Sequence, residues 1–227
     1  MAGLTDITFY DNLDIWQRVE VPGSRAFRLL ANYVSDLYVQ CLHGYKPPKI
    51  SRISLCLVAE NTPPHCWKTG SIALINYGFS SQAYNALTVD ADKALYLLES
   101  LQDAVRHLCH AYGWDLAVFE GACHEVKSCD IQFRFMYPEK VARDGKKRAH
   151  LLLEKTLTTT FLSVCIDFEG KRVKAQLYEG PNRWWYDPIY AVTKHGRWIN
   201  NDQFGVKTTR HDFQGWFSLQ ANKVCVE

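Results

Sequence analysis

The fold is decided by residues 90–113, which read DADKALYLLESLQDAVRHLCHAYG. Apolar side chains recur in this stretch at steps of three and four residues: Ala94, Leu98, Leu101, Val105, Leu108 and Tyr112. Asp90 and Asp92 stand where a helix dipole favours acids, and Gly113 stands where a left-handed residue can end a helix. The stretch therefore predicts a long amphipathic helix with one buried face.

Two further helices are indicated on either side of this one. Ser24 is followed by a second stripe at helical spacing, Phe27, Leu30, Val34, Leu37 and Cys41, which runs to Gly44 and to Pro47-Pro48. Residues 114–129 predict a third, shorter helix, with Val118, Ala122 and Val126 or Phe119 and Cys123 facing inward. We expect two long helices and one short helix.

From Asp130 onward the apolar period changes to two, with Ile131, Phe133, Phe135 and Tyr137 on one face of a strand. Further strands are indicated within 4–21, at 50–60 paired with 71–79, at 159–168 and 172–178 around Glu169-Gly170-Lys171, in a hairpin at 192–199, and at 215–220. Strands, helices and then strands again predict an α+β fold with a mainly antiparallel sheet.

The length of 227 residues fits one extended domain, with a possible subdivision into a mixed half, 1–129, and a β-rich half, 130–227. No internal repeat or low-complexity linker interrupts the chain. A chain of this size buries enough surface to need neither a disulfide nor a metal for stability. We therefore expect a single α+β domain.

The charge balance disfavours two classes of partner. The net charge is +2, from 26 basic and 24 acidic residues, so nucleic acid is not the expected partner and no basic helix points to a membrane surface. Residues 1–6 lack the basic and apolar regions of a signal peptide. The eight cysteines lie mostly in apolar runs without a repeated spacing, which is typical of free, buried thiols. We expect a cytoplasmic protein.

Motifs for cofactors and metals are missing. The chain has no GxGxxG and no GxxxxGK[ST], so we predict no nucleotide cofactor. His107, Cys109, His110, Cys123 and His124 could be assembled into a metal site, but the spacings of zinc sites are absent, and we predict no metal. A nucleophilic site that pairs a dispersed cysteine with His195 or with His211-Asp212 remains an alternative, without any signature motif.

The C-terminal stretch is dense in aromatics, either as a sheet core or as a binding surface. Trp184 and Trp185 are adjacent, so in a strand they point to opposite sides and one of them leaves the core face. We predict that this surface binds a protein partner through Arg183, Trp184, Trp185, Tyr186, Arg197 and Trp198.

A second candidate surface is the loop 139–148, which carries Lys140, Arg143, Lys146, Lys147 and Arg148. It could contact phosphate or an acidic partner, together with Lys171, Arg172 and Lys174. A solvated loop is the plainer interpretation, because no aromatic side chain is interleaved for stacking on bases.

The helix that ends in His-Ala-Tyr-Gly-Trp-Asp at 110–115, followed by a short helix through Phe119-Glu120 and then by strands, resembles immunity proteins of bacterial polymorphic toxin systems. The resemblance covers about the middle third of the chain. It implies a non-enzymatic cytoplasmic inhibitor that binds a toxin domain, with no residue assignments. The alternatives are an enzyme with a dispersed Cys/His site and a structural subunit of a larger assembly.

Overall fold

The structure is a computed structural model that describes residues 4–11, 24–183, 188–207 and 213–226. These ranges contain five helices and thirteen strands, and the strands form three sheets. Most strand pairs are antiparallel, so the prediction of a mainly antiparallel α+β fold is confirmed. The chain forms two compact units, Met1–Gln132 and Phe133–Glu227, and the possible subdivision after residue 129 lies close to this boundary.

The first unit contains α1 (Ser24–Cys41), α2 (Ser81–Ala86), α3 (Asp90–Tyr112) and α4 (Leu116–Ser128). The three predicted helices are α1, α3 and α4. Asp115 caps α4, because its carboxylate accepts a hydrogen bond from the amide of Ala117 at 3.1 Å. Gly113 ends α3 with a left-handed φ of 65°, as the sequence predicts. No helix in the described ranges is long and apolar enough to cross a membrane.

The sheet of the first unit contains β1 (Asp6–Asp11), β2 (Arg52–Ala59), β3 (His65–Thr69) and β4 (Ile72–Phe79), in the order β1-β2-β4-β3. The predicted pairing of β2 with β4 is present, but it is parallel, because β3 returns the chain between them and pairs antiparallel with β4. β1 also pairs parallel with β2. The part of the predicted strand region 4–21 beyond residue 11 lies outside the described residues.

The helices of this unit cover one face of its sheet, the inner face. Ile53, Leu55 and Ile75 on this face are fully buried. Phe79 of β4 packs edge-on against Phe27 of α1, with ring centroids 6.0 Å apart. The sheet therefore has a helical layer on its inner side, and β1, β2 and β4 alternate between this face and the opposite one.

A buried polar contact joins α1, α3 and α4. The hydroxyl of Tyr38 in α1 lies 2.6 Å from Gln102 Oε1 in α3 and 3.0 Å from the carbonyl oxygen of Phe119 in α4. Tyr38 has no exposed surface, and burial raises the pKa of its hydroxyl far above the usual value. The hydroxyl therefore stays protonated and acts as a donor.

The second unit opens with β5 (Phe133–Met136), β6 (Lys140–Val141), β7 (Lys147–Lys155), β8 (Thr159–Phe168) and β9 (Lys171–Pro181). Their order is β5-β7-β8-β9, with β6 paired to β7. Glu169 and Gly170 alone connect β8 to β9, with φ of 48° and 73°. Positive φ at both positions defines a type I′ turn, so the hairpin predicted here is confirmed.

The chain continues with α5 (Ile189–Thr193), β10 (Gly196–Asn200), β11 (Gln203–Val206), β12 (Gly215–Ser218) and β13 (Lys223–Val226). These four strands form an antiparallel sheet in sequence order. The prediction of a hairpin at 192–199 is wrong. Residues 189–193 form α5, and this segment contains part of one strand only, β10. The strand predicted at 215–220 is β12, but β13 comes after it.

The predicted loop 139–148 is largely a hairpin. Lys140 and Val141 of β6 pair with Ala149 and Arg148 of β7, around a turn at Asp144-Gly145. β7 itself was not predicted, because its burial does not follow a strict period of two: Leu151, Leu152 and Leu153 are all buried.

Candidate binding surface

The structure describes three of the six predicted partner-binding residues. Arg183 follows β9 and is exposed, and Arg197 and Trp198 lie on β10. The remaining predicted residues, Trp184, Trp185 and Tyr186, lie outside the described residues. Arg197 is exposed, and its Nη2 donates to the carbonyl oxygen of Lys207 at 3.0 Å.

Trp198 is half-buried and held by its own unit. Its indole Nε1 donates to the carbonyl oxygen of Lys140 at 2.8 Å, and its ring packs edge-on against Phe204, with centroids 5.3 Å apart. The ammonium of Lys140 in turn donates to the carbonyl oxygen of Gly196. These reciprocal contacts join β6 to β10, so Trp198 has a clear packing role beside the exposed Arg197.

The chain directly before the aromatic run is fixed by Asn182, which is only 7% exposed. Its Oδ1 accepts from Thr160 Oγ1 at 2.8 Å, and its Nδ2 donates to the carbonyl oxygen of Thr156 at 2.9 Å. Its backbone amide donates to the carbonyl oxygen of Thr158 at 2.8 Å. Asn182 thus binds both the β7–β8 turn and β8, and it anchors Arg183.

The chain directly after the aromatic run is fixed by α5. Ile189 and Val192 are buried, at 5% and 3% exposure. Tyr190 packs against Phe133 of β5, and the ammonium of Lys155 lies 4.7 Å from the Tyr190 ring centroid. The described residues that flank 184–187 on both sides therefore pack within the second unit.

Three other aromatics of the C-terminal stretch belong to the core. Trp216 and Phe217 of β12 and Phe204 of β11 are at most 8% exposed. The ammonium of Lys207 lies 4.7 Å from the Trp216 ring centroid. Trp216, Phe217 and Phe204 therefore belong to the core, whereas Trp184 and Trp185 lie outside the described residues.

The basic residues at 139–148 are largely engaged within the second unit. Lys147 Nζ lies 3.1 Å from Asp144 and 3.3 Å from Asp202, and Arg148 pairs with Glu139 at 3.1 Å. Arg143 and Lys146 are exposed. Ion pairs with neighbouring acids leave this hairpin less positive than its sequence indicates.

Burial raises the pKa of six thiols, those of Cys41, Cys56, Cys66, Cys109, Cys123 and Cys165. All eight thiols of the chain are free, five of them buried and three partly exposed. Burial, together with the carboxylate of Glu125, raises the pKa of Cys41 to about 12, and burial raises that of Cys109 to about 11. A nucleophilic cysteine requires a lowered pKa. In the described ranges no three His, Cys, Asp or Glu side chains come together as a metal site.

The outer face of the first-unit sheet, opposite its helices, is a further surface that the sequence does not predict. The strand registers place two rows of side chains side by side on this face, Thr8, Ser54, Leu74 and Trp67 in the central row and Tyr10, Cys56, Asn76 and His65 in the next. Tyr10 is 40% exposed, His65 is exposed, and Trp67 and Leu74 are partly exposed.

Small and large side chains are separated on this outer face. Within the central row, Thr8 and Ser54 lie on β1 and β2, whereas Leu74 and Trp67 lie on β4 and β3. His65 and Trp67 stack at 5.7 Å on the β3 edge. The sequence of β4 does not indicate this face, because Ile72, Ala73, Leu74 and Ile75 form one apolar run and the parallel pairing that creates the face is not visible in the sequence.

No protein-family model, curated protein or solved structure matches this chain.

Proposed function

We propose that this chain is a non-enzymatic protein-binding protein of the cytoplasm, and in its sharpest form an immunity-type inhibitor that neutralises a toxin or effector domain. The proposal is carried by the described residues on the two sides of the aromatic run, Asn182 before it and α5 after it. Asn182 is fully engaged before the run and α5 is buried after it. Aromatic and arginine side chains on a segment that a rigid framework holds at both ends are typical of binding hot spots.

The charges favour a protein partner over nucleic acid. Lys147 and Arg148 pair with acids of their own unit, and the whole chain carries a charge of only +2. Nucleic-acid binding draws most of its affinity from basic side chains that are available to phosphates. The exposed Arg183 and Arg197 suit carboxylates and carbonyl groups at the rim of a protein interface.

The raised thiol pKa values favour binding over covalent catalysis. At neutral pH a thiol such as Cys41, with a pKa of about 12, is almost entirely protonated and is a poor nucleophile. Free thiols throughout the chain suit the reducing cytoplasm. These features support inhibition by occupancy of a partner's surface.

The test is affinity capture from native cells with wild-type protein, Trp184→Ala, Trp185→Ala and Lys146→Ala. We expect one protein to be captured by wild type and by Lys146→Ala, and to be lost with at least one tryptophan variant. Truncation of a hot-spot tryptophan costs about 2 kcal/mol or more of binding, a change of about 30-fold in Kd. Thermal melts of each variant separate lost affinity from lost folding.

The inhibitor function is tested with the captured protein itself. Its expression alone should arrest growth of a host, and co-expression of the wild-type chain should restore growth, whereas the tryptophan variant that loses capture should not. If the captured protein is harmless, the immunity function is wrong while protein binding stands. If both tryptophan variants lose only thermal stability and still capture the partner, the proposed surface is wrong.

A further inference from the structure

We propose that the partner protein presents an acidic surface to the second unit, and that this surface binds at one end of the four-stranded sheet β10–β13. The proposal rests on the protein-binding function proposed above and specifies the chemistry of the partner. Lys194, Arg197 and Lys207 lie at this end of the sheet, which we call the basic end, and all three are exposed. A surface cluster of one charge attracts a surface of the opposite charge.

The strand register brings the three cations together. β10 begins beside the last residue of β11, because Gly196 pairs with Val206. Lys194 lies two residues before Gly196, and Lys207 directly follows Val206. The Nη2 of Arg197 donates to the carbonyl oxygen of Lys207 at 3.0 Å, so the guanidinium lies beside the backbone of Lys207. The three residues therefore belong to one end of the sheet, although 13 positions separate the first from the last.

No acid accompanies these cations among the described residues of the basic end. Asp and Glu are absent from 188–197, 204–207, 213–217 and 224–226. Asp202 lies in the β10–β11 turn, at the opposite end of these two strands, and pairs with Lys147 at 3.3 Å. The described strands that carry the positive charge of the basic end therefore do not neutralise it.

Several basic residues elsewhere in the second unit are paired with acids. Arg172 of β9 donates two hydrogen bonds to Asp167, at 2.7 and 2.9 Å, and Lys174 lies 2.6 Å from Glu154. Ion pairs also engage the hairpin at 139–148. The sequence indicates these two regions as contacts for an acidic partner, but their charges are largely neutralised within the unit. The basic end is the better contact for such a partner.

The surroundings of the basic end suit a protein better than a nucleic acid. Val226 of β13 lies at the same end, because Val206 pairs with Gly215 and Gly215 pairs with Val226, and it is 59% exposed. Nucleic-acid binding depends on many phosphate contacts, whereas protein interfaces combine apolar side chains with arginines. The guanidinium of Arg197, positioned by one hydrogen bond, keeps further N–H groups for a carboxylate.

The first test is cross-linking with a water-soluble carbodiimide, which joins a lysine amine to a carboxylate when the two groups are in contact. The probe is the protein that the wild-type chain captures from native cells, purified and mixed with the full chain. We expect linked peptides that join Lys194 or Lys207 to Asp or Glu residues of the partner. Lys146 and Lys171 are exposed in the same unit and are the internal controls, which should stay unlinked.

Charge reversal is the second test. Lys194→Glu, Arg197→Glu and Lys207→Glu should each lower the association rate constant for the purified partner at least about threefold, and the triple variant at least about 30-fold. A rise in salt from about 50 to about 300 mM should slow wild type, whereas it should speed the triple variant, because it then screens a repulsion. Lys146→Glu is the matched control and should associate within about twofold of wild type. Thermal melts show which variants are folded.

The outcomes separate this inference from the proposed function. If the folded triple variant associates like wild type, or if the links form at Lys146 and not at the basic end, the acidic surface is wrong while protein binding stands. If wild type captures no protein, the proposed function is wrong and this inference fails with it. If nuclease abolishes capture and only the triple variant fails to bind a short DNA duplex, the ligand is a nucleic acid and both proposals are wrong. Cross-linking uses the wild-type chain, so it decides the question even where a variant does not fold.

Discussion

Two helices of the first unit end with the same backbone hydrogen bond but with different left-handed residues. The amide of Trp114 returns to the carbonyl oxygen of Cys109 after α3, and the amide of Ile131 returns to that of Val126 after α4. The left-handed residue is Gly113 in the first case, with φ of 65°, whereas two residues are left-handed in the second, Asp130 with φ of 51° and Ile131 with φ of 56°. A residue with a side chain has a steric cost in the left-handed conformation, so α4 ends less favourably than α3.

Asp130→Gly should therefore stabilise the protein by about 0.5–1 kcal/mol, because glycine adopts positive φ without a steric cost and Asp130 is exposed. Gly113→Ala should destabilise it by about 1 kcal/mol, since a Cβ at that position meets no atom within 4 Å and the cost is purely conformational. Urea unfolding of both variants checks the pair. Shifts of the same sign in both variants would contradict this account.

The hydroxyl of Tyr38 makes the buried polar contact that joins α1, α3 and α4. Tyr38→Phe should cost about 1–3 kcal/mol, because it leaves the carbonyl of Phe119 and the side chain of Gln102 without their buried donor. Tyr112→Phe is the control, since this side chain is partly exposed. We expect it to lower the free energy of unfolding by no more than about 0.5 kcal/mol. Chemical unfolding followed by circular dichroism measures both. Equal losses in the two variants would show that the buried contact contributes nothing.

At the scale of elements, a hairpin can be predicted from its own turn residues, whereas the pairing of strands that are distant in the sequence cannot. The β8–β9 hairpin follows from its own turn residues, because Glu169 and Gly170 leave only a two-residue type I′ connection. The parallel pairing of β2 with β4 depends on β3, a short strand at the sheet edge that pairs with β4 through five register partners. The segment at 192–199 alternates like a strand, yet residues 189–193 form α5 because Ile189 and Val192 are buried on one side of it.

The turn offers a test of the hairpin. Glu169→Asn should stabilise the second unit by about 0.5–1 kcal/mol, because asparagine tolerates the left-handed φ of 48° better than glutamate does. Gly170→Ala should destabilise it by about 1 kcal/mol, since φ is 73° and a Cβ there meets open space. Thermal unfolding of both variants is the measurement. A neutral or destabilising Glu169→Asn would mean that the glutamate side chain contributes to the hairpin in another way.

At the scale of the whole molecule, the buried thiols make stability depend on pH in the alkaline range. The pKa of Cys41 is about 12 in the folded protein, against an ordinary value of 9.0. The raised folded pKa means that the unfolded chain releases the proton first. The stabilising effect is therefore complete below pH 9 and is lost as pH rises from 9 towards 12.

The free energy of unfolding should thus fall between pH 9 and pH 11, by up to about 1.4 kcal/mol per pH unit for each such thiol. Cys41→Ala should make this fall shallower, whereas Cys225→Ala, at a partly exposed position, should leave it unchanged. Urea titrations at pH 7, 9, 10 and 11 measure the slopes. A slope in Cys41→Ala equal to that of wild type would contradict the assignment.

The sequence by itself determined the features that depend on neighbours in the chain. α3 and its end at Gly113, the stripe of α1, the β8–β9 turn and the α+β class all follow from periodicity and local conformational preference. The anchoring of Arg183 by Asn182 was not visible in the sequence, because the partners of Asn182 are Thr156 in the β7–β8 turn and Thr160 on β8, both more than 20 residues away.

Only the tertiary structure decided the parallel register of the first sheet and, with it, the outer face on which Ser54 and Leu74 stand side by side. It also decided that Trp216 fills the core while Trp198 is bound by the backbone of Lys140. The physical reason is the same in each case. Pairing and burial depend on residues far apart in the chain, and the free energy that selects them comes from their packing together.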